Sequence, residues 1–207
     1  MLSDPTDSSA SASDCPWNAR EAELLAVTLR LLQQHGYDRL TMEAVATEAK
    51  ASKATMYRRW PSKADLVLAA FIEGTRQSAI SPRTGSLRGD LLAIGATVCH
   101  DSREHAATMR AVLNEMSHSD ALSAAMQEKF VHHRNVLIKE VLGDAVARGE
   151  IDAAAINREI WDLLPGYLVF RSLVSERPPT DETVRALVDE VLLPSLTRGL
   201  TRGTPSG

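Results

Sequence analysis

The segment of residues 50–63 reads KASKATMYRRWPSK, and it decides how the rest of the chain is interpreted. It holds five basic side chains and no acidic one, whereas the whole chain carries a formal net charge of −4. Thr and Tyr side chains are interleaved with these cations, a combination suited to holding a phosphate backbone. The segment therefore predicts a DNA-binding surface. The alternative is an ordinary solvated basic face on a helical domain.

The sequence around this segment repeats with helical spacing. A first helix, with apolar positions between Leu24 and Leu32, ends at Gly36, which adopts a left-handed cap at little cost. Three more helices are predicted after it, at residues 41–49, 52–60 and 62–75. Thr41, Ser52 and Ser62 are their expected N-caps.

Breaker residues interrupt the helical pattern between residues 76 and 86, where we place a domain boundary. Five further helices are predicted at residues 87–100, 103–117, 120–148, 152–175 and 180–199. The predicted fold class is all-α, with an N-terminal helix-turn-helix domain, a larger C-terminal helical bundle and about nine helices in total. Its divisions are a disordered arm (1–16), the helix-turn-helix domain with its linking helix (17–75), the second domain (86–200) and a flexible tail (201–207).

Composition restricts the cellular location and the nature of the core. Hydrophobic residues make up 44% of the chain but aromatic residues only 4%, so that aliphatic side chains must fill the core. The longest apolar run, Leu66–Ile72, is much shorter than the roughly 18 residues of a membrane span. Cys15 and Cys99 are too few to indicate a disulfide framework or a zinc site. We therefore expect a cytoplasmic protein without membrane contact.

The second and third helices form a helix-turn-helix, whose second helix enters the major groove of DNA. Met56 and Trp60 are four residues apart and are expected to face the core. This leaves the outer faces to Lys53, Ala54, Thr55, Tyr57, Arg58 and Arg59. Thr41 and Lys63 begin helices, where free N–H groups favour an anion. Arg58 and Arg59 have a second interpretation, as ion-pair partners of Glu43 or Glu48.

Residues 52–66, with the sequence SKATMYRRWPSKADL, resemble the signature of the TetR family of bacterial transcriptional regulators. The preceding His35-Gly36-Tyr37 and the stretch TMEAVA at residues 41–46 are similar to the family too, so that the resemblance covers about residues 20–70. It implies that Lys53, Ala54 and Thr55 lie at the groove and that Thr41, Tyr57 and Lys63 touch phosphate. Two residues depart from the family pattern: Lys50 stands where the turn usually has Gly, and Trp60 replaces the more usual Phe.

The resemblance also implies a homodimer formed through the last two helices. Residues 17–63 contain eight basic and five acidic side chains, a net charge of +3, which leaves −7 for the rest of the chain. That acidic remainder is not expected to bind DNA. Apolar stripes predict a dimer interface on the last two helices, although they could instead pack within the monomer. Its candidates are Ile160, Leu164, Tyr167, Leu168, Val184, Leu187, Val188, Val191 and Leu192.

The resemblance to the family also implies that the second domain contains a cavity for an inducer. Met and aromatic side chains suit a pocket for varied apolar ligands, although at helical spacing they are more often ordinary core. The candidate lining residues are Cys99, Met109, Leu113, Met116, Trp161, Tyr167 and Phe170, with Arg171 as a polar anchor. No metal site is predicted, because the adjacent His132 and His133 point about 100° apart on a helix. No cofactor-binding or catalytic motif is recognised either.

These features together predict a ligand-responsive transcriptional repressor. Its expected partners are a palindromic double-stranded DNA operator, an unidentified small-molecule effector and a second copy of the chain. One alternative is an enzyme or small-molecule carrier that retains a DNA-binding unit. Another is an architectural DNA-binding protein without an effector, and activation instead of repression stays open because it depends on operator position.

Overall fold

The chain is described here from a computed structural model. The structure describes residues 17–76, 81–175 and 177–198, without the side chains of Arg158 and Trp161. The predicted arm (1–16) and tail (201–207) lie outside the described residues. Within these ranges the chain forms nine helices and no β-strand, which confirms the all-α fold class.

The four N-terminal helices are α1 (Ala19–His35), α2 (Met42–Glu48), α3 (Lys53–Arg59) and α4 (Lys63–Gly74). The next are α5 (Leu87–Glu104) and α6 (Ala106–Met116), followed by α7, in which Asp120–Met126 and His132–Ala147 are joined by a π-helical segment, Gln127–Val131. Helix α8 is Arg158–Leu173. Helix α9 consists of Asp181–Ala186, a π-helical segment, Leu187–Leu192, and Leu193–Thr197.

Side-chain caps fix most of the N-terminal helix starts. The Asn18 and Ser62 side chains form capping boxes with Glu21 and Asp65, and the Thr41 hydroxyl accepts a hydrogen bond from Ala44 N–H at 3.1 Å. Gly36 ends α1 with a positive φ of 76°, which glycine adopts freely, but its ψ of 169° is not that of the expected left-handed cap. Ser52 occupies the N-cap position of α3 as expected, but its side chain makes no cap hydrogen bond.

Two corrections concern the second domain. Helix α5 continues to Glu104, beyond the expected end at residue 100, so that the break falls at His105. Helix α8 begins at Arg158 and not at residue 152, because a short 3₁₀ turn, Ala153–Ala155, precedes its N-cap Asn157. The helix continues through Pro165, which stands in its middle.

Two hydrophobic clusters hold the fold together. The first fills the space between α1, α2, α3 and α4, and it also takes in Val112, Leu122 and Met126 from α6 and α7. The second lies between α5, α7, α8 and α9. Because the first cluster includes side chains from both sides of the predicted boundary, helices α1–α4 are packed directly onto α6 and α7.

Candidate functional site

A tight left-handed turn sets the angle between α2 and α3. Lys50 N–H donates to the Thr47 carbonyl at 3.1 Å and Ala51 N–H donates to the Ala46 carbonyl at 2.8 Å. This is the hydrogen-bond pattern of a Schellman motif, whose C′ residue is left-handed. Lys50 is that residue, with a φ of +50°. The replacement of Gly by Lys50 therefore leaves the turn geometry unchanged, and the backbone bears the cost of about 1 kcal/mol.

Helix α3 presents a polar face to solvent and buries two anchors. Met56 and Trp60 are 1% and 4% exposed, in agreement with the sequence prediction. Because these two residues fix the rotation of the short helix, the residues between them point outward. The exposed side chains on α3 are Lys53, Ala54, Thr55, Tyr57, Arg58 and Arg59.

Glu43 on α2 occupies part of this face. Its Oε1 atom lies 3.5 Å from both Lys53 Nζ and the Tyr57 hydroxyl. A hydrogen bond from its own backbone N–H, and then the charge of Lys53, lower the pKa of the Glu43 carboxyl. All three side chains are exposed, so these contacts are weak and a DNA phosphate can displace them.

Arg59 lies on the exposed face of α3, as predicted, and it also reaches α1. Its Nε donates to Glu21 Oε1 at 2.9 Å, and its Cζ lies 4.8 Å from the Trp17 ring centroid. The Trp17 ring in turn packs against Trp60 at 5.9 Å. Arg59 therefore joins α3 to the start of α1. Pairing with Glu43 or Glu48 is not observed for it, and Glu48 pairs instead with Arg30 at 2.9 Å.

Lys63 is held in place at the first residue of α4. Its Nζ donates to the Tyr37 carbonyl at 3.0 Å and lies 4.1 Å from the centroid of the Tyr37 ring. Burial, and then the neighbouring Glu115 carboxylate, raise the pKa of the Tyr37 hydroxyl to about 12. The Lys63 ammonium is thus held at Tyr37, while the free backbone N–H groups at the start of α4 are themselves favourable for an anion.

A cavity of about 390 Å³ opens between α4, α5, α6, α7 and α8. Its wall is mainly apolar, with Phe71 from α4 and Phe130 from the π-helical segment in contact at a ring separation of 5.0 Å. Its size falls within the range of small-molecule sites. The charged side chains in its wall, as far as the structure describes it, are Asp101, Arg134 and Asp162.

The structure places two of the predicted lining residues, Met109 and Leu113, in the cavity wall. Cys99 lies instead in the second hydrophobic cluster, where burial raises the pKa of its thiol, and Met116 packs against the first cluster. The side chain of Trp161 lies outside the described residues. The other three candidates, Tyr167, Phe170 and Arg171, are on α8 but not in the wall.

The rotation of α8 about its axis keeps Tyr167, Phe170 and Arg171 out of the cavity wall. The face of α8 that meets the cavity carries Asp162, Pro165, Gly166, Val169 and Leu173. Tyr167 and Phe170 are 37% and 52% exposed on another face. Arg171 Nη1 donates to the Tyr167 hydroxyl at 3.2 Å, so it does not serve as the cavity's polar anchor. Sequence reasoning missed Phe71, Phe130 and Arg134, although the two aromatic residues stand out in a chain with so few.

Most of the predicted dimer residues are buried within the chain. Ile160 is half-buried, and the exposed candidates are Tyr167 and Val191. Because the buried ones already fill the monomer core, they cannot offer surface to a second copy. Among the described side chains, the large apolar ones exposed on α8, at its C-cap and on α9 are Leu163, Tyr167, Phe170, Val174 and Val191. The buried candidates are Leu164, Leu168, Val184, Leu187, Val188 and Leu192.

Within the part of the chain that the structure describes, no three His, Cys, Asp or Glu side chains are grouped so that they could hold a metal ion. None of the helices in these ranges combines the length and the apolar character needed to cross a membrane.

The fold and the exposed basic helix α3 define a helix-turn-helix DNA-binding protein. Comparison with known families agrees: residues 24–70 match the domain described as bacterial regulatory proteins, tetR family. Residues 81–191 match the tetracyclin repressor-like C-terminal domain. The chain therefore belongs to the TetR family of transcriptional regulators, which are not enzymes.

Individual relatives support the same assignment. An HTH-type transcriptional regulator of Mycobacterium tuberculosis is 63% identical over 194 residues, which cover 94% of this chain and 93% of the relative. A DNA-binding transcriptional repressor TetR of Mycobacteroides abscessus is 34% identical, over 84% of this chain and 92% of the relative. A crystal structure of a TetR family transcription regulator, 29% identical, superposes with a TM-score of 0.73 and covers 84% and 97% of the two chains.

Proposed function

We propose that the protein is a dimeric repressor that binds a near-palindromic operator and is released when a small molecule enters the cavity. The observation that carries this proposal is the position of α4. Its first residue, Lys63, is separated from the end of α3 by three residues, whereas Phe71 and Thr75, at its other end, line the cavity. A ligand in the cavity therefore touches the same helix that helps to hold DNA.

In the proposed complex, α3 lies in the major groove. Lys53, Ala54 and Thr55 begin this helix, and the first residues of a recognition helix are the ones that reach base edges. Thr41, Tyr57 and Lys63 are assigned to phosphate contacts, and Arg58 adds exposed positive charge. Arg59 is also exposed, but it would have to release Glu21 on α1 to meet a phosphate. Because chromosomal operators are the target, the proposal places the protein in the cytoplasm.

A homodimer is proposed through the exposed apolar side chains of α8 and α9. Phe170 and Val174 are 52% and 66% exposed, which is unfavourable in water and explained by a partner surface. Two copies joined there would place their α3 helices about 34–36 Å apart, one turn of DNA. Repression rather than activation is supported by the relative of Mycobacteroides abscessus named above, a transcriptional repressor.

The test is footprinting of the purified protein on DNA that flanks its own gene, with and without a panel of metabolites. We expect one or two protected palindromic sites and loss of protection with at least one compound. Thr55→Val is expected to change which bases are preferred, whereas Tyr57→Phe is expected to weaken binding to every sequence alike. Uniform coverage of all fragments, unaffected by any compound, would contradict the proposal and favour an architectural role.

A further inference from the structure

The charged side chains in the cavity wall restrict the charge that a ligand can have. In the cavity wall, as far as the structure describes it, Arg134 provides the positive charge, and Arg134 already has a partner. Its Nη2 lies 3.2 Å from Asp101 Oδ2, and the two side chains are only 19% and 11% exposed. The guanidinium also lies 5.0 Å from the centroid of the Phe130 ring, which favours a cation at that position.

A negatively charged ligand would be poorly accommodated in this wall. To reach Arg134 it would have to displace Asp101 from the guanidinium, and breaking a largely buried ion pair is strongly unfavourable. If the ligand avoided Arg134, its own charge would be buried among apolar side chains without compensation. Asp162 adds a second carboxylate to the wall, so that the described lining carries two negative groups and one positive group.

We infer that the cavity selects apolar molecules whose polar group is uncharged or cationic, and that the Asp101–Arg134 pair excludes carboxylates. This inference rests on the proposed function, since it concerns the ligand of the same cavity. An uncharged hydroxyl leaves the pair intact and finds hydrogen-bond partners in the wall at Thr97, Ser102 or Asn135. An ammonium group is in addition attracted by the carboxylates.

The experiment compares three probes that share one alkyl chain: 1-decanol, decylammonium and decanoate. Binding to the full-length protein is measured directly by isothermal titration calorimetry at pH 7, without DNA. We expect decanoate to bind at least about tenfold more weakly than decanol, because it must break or avoid the ion pair. We expect decylammonium to bind at least as tightly as decanol.

Two variants test the role of the pair. Asp101→Asn leaves Arg134 free to meet an anion, so decanoate is expected to bind about tenfold more tightly than it does to the wild type. Decanol binding is expected to stay within about twofold, since it makes no use of the charge. Asp101→Asn combined with Arg134→Met is expected to make decanoate weak again, and circular dichroism shows whether each variant is folded.

Asp189→Asn is the control, because it removes the same carboxylate charge from an arginine–aspartate pair that lies outside the cavity and is more exposed. Asp189 accepts two hydrogen bonds from Arg88, at 2.7 and 2.8 Å. This variant is expected to leave the order of the three probes unchanged. Decanoate binding to the wild type as tightly as decanol overturns the charge selection alone. If none of the probes binds, the cavity is not an apolar ligand site, and both this inference and the effector part of the proposed function fail.

Discussion

Lys50→Gly is expected to stabilise the protein by relieving the turn between α2 and α3. Lys50 has a φ of +50°, in the left-handed region that glycine adopts freely. The hydrogen bonds of the turn are formed by backbone atoms, including the Lys50 carbonyl, which accepts from Arg20 Nη2 at 3.0 Å. The substitution therefore keeps these bonds and removes only the side chain that makes the conformation unfavourable.

The size of the effect follows from two opposing contributions. A residue with a Cβ in the left-handed conformation costs roughly 1–2 kcal/mol. Glycine also increases the conformational entropy of the unfolded chain, which reduces by about 0.4–1 kcal/mol the stabilisation obtained by relieving this strain. The net expectation is a stabilisation of about 0.5–1 kcal/mol, which corresponds to a rise in Tm of about 1–4 °C for a chain of this size.

The assay is urea unfolding followed by circular dichroism at a fixed protein concentration, with Lys50→Ala as the control. Alanine also removes the positive charge, but it keeps the Cβ and therefore keeps the strain. We expect the midpoint to rise for the glycine variant and not for the alanine variant, with equal DNA binding by the two. Equal midpoints for the two variants would refute the reasoning, because the left-handed backbone would then carry no measurable cost.

Three other predictions concern DNA binding, packing and assembly. Lys63→Ala is expected to weaken binding to all DNA and to flatten the salt dependence of log K by about one unit, measured by fluorescence anisotropy; an unchanged slope argues against a phosphate contact. Gly95→Ala places a Cβ 2.3 Å from a valine methyl on α9 and is expected to destabilise by about 1–3 kcal/mol in urea unfolding. Gly143→Ala, whose Cβ would meet nothing within 4 Å, is expected to stabilise by about 0.5–1 kcal/mol, and a loss of stability there would contradict the packing argument. Phe170→Asp is expected to shift the dimer towards monomer in sedimentation equilibrium; the control Val136→Asp, at an apolar residue of α7 that is 38% exposed, is not, and a dimer that survives both changes excludes the proposed interface.

The helices could be predicted because their signals are local. Thr41 and Ser62 each act within one helical turn, and the structure gives each the cap expected of it. Gly36 ends α1 as expected, with a positive φ. Ser52 has the same sequence signal, but its hydroxyl makes no cap hydrogen bond. The start of α8 was missed because Ala153–Ala155 reads as helical and forms a separate 3₁₀ turn.

At the candidate site, helical periodicity predicts which side chains are buried and which are exposed, but it does not predict contacts between residues distant in sequence. The two anchors Met56 and Trp60 fix the outward face of α3, which follows from their spacing. The partner of Arg59 is Glu21, 38 residues away, and no local pattern indicates such a contact. For α8, spacing shows which residues share a face of the helix, but it does not show which part of the protein each face contacts. The prediction that Tyr167 and Phe170 face the cavity is therefore wrong.

A tilt of helix α4 at its cavity end would displace its other end, at Lys63. Phe71 follows Lys63 by eight residues, a distance of about 12 Å along the helix axis. If Phe71 acts as the pivot, a tilt of roughly 10° sweeps the Lys63 end through about 2 Å. That displacement exceeds the tolerance of a hydrogen bond, so the helix can disengage from a phosphate without unwinding or sliding. In the proposed mechanism, a small deformation of the cavity wall by a ligand is therefore enough to move the Lys63 end away from a DNA phosphate.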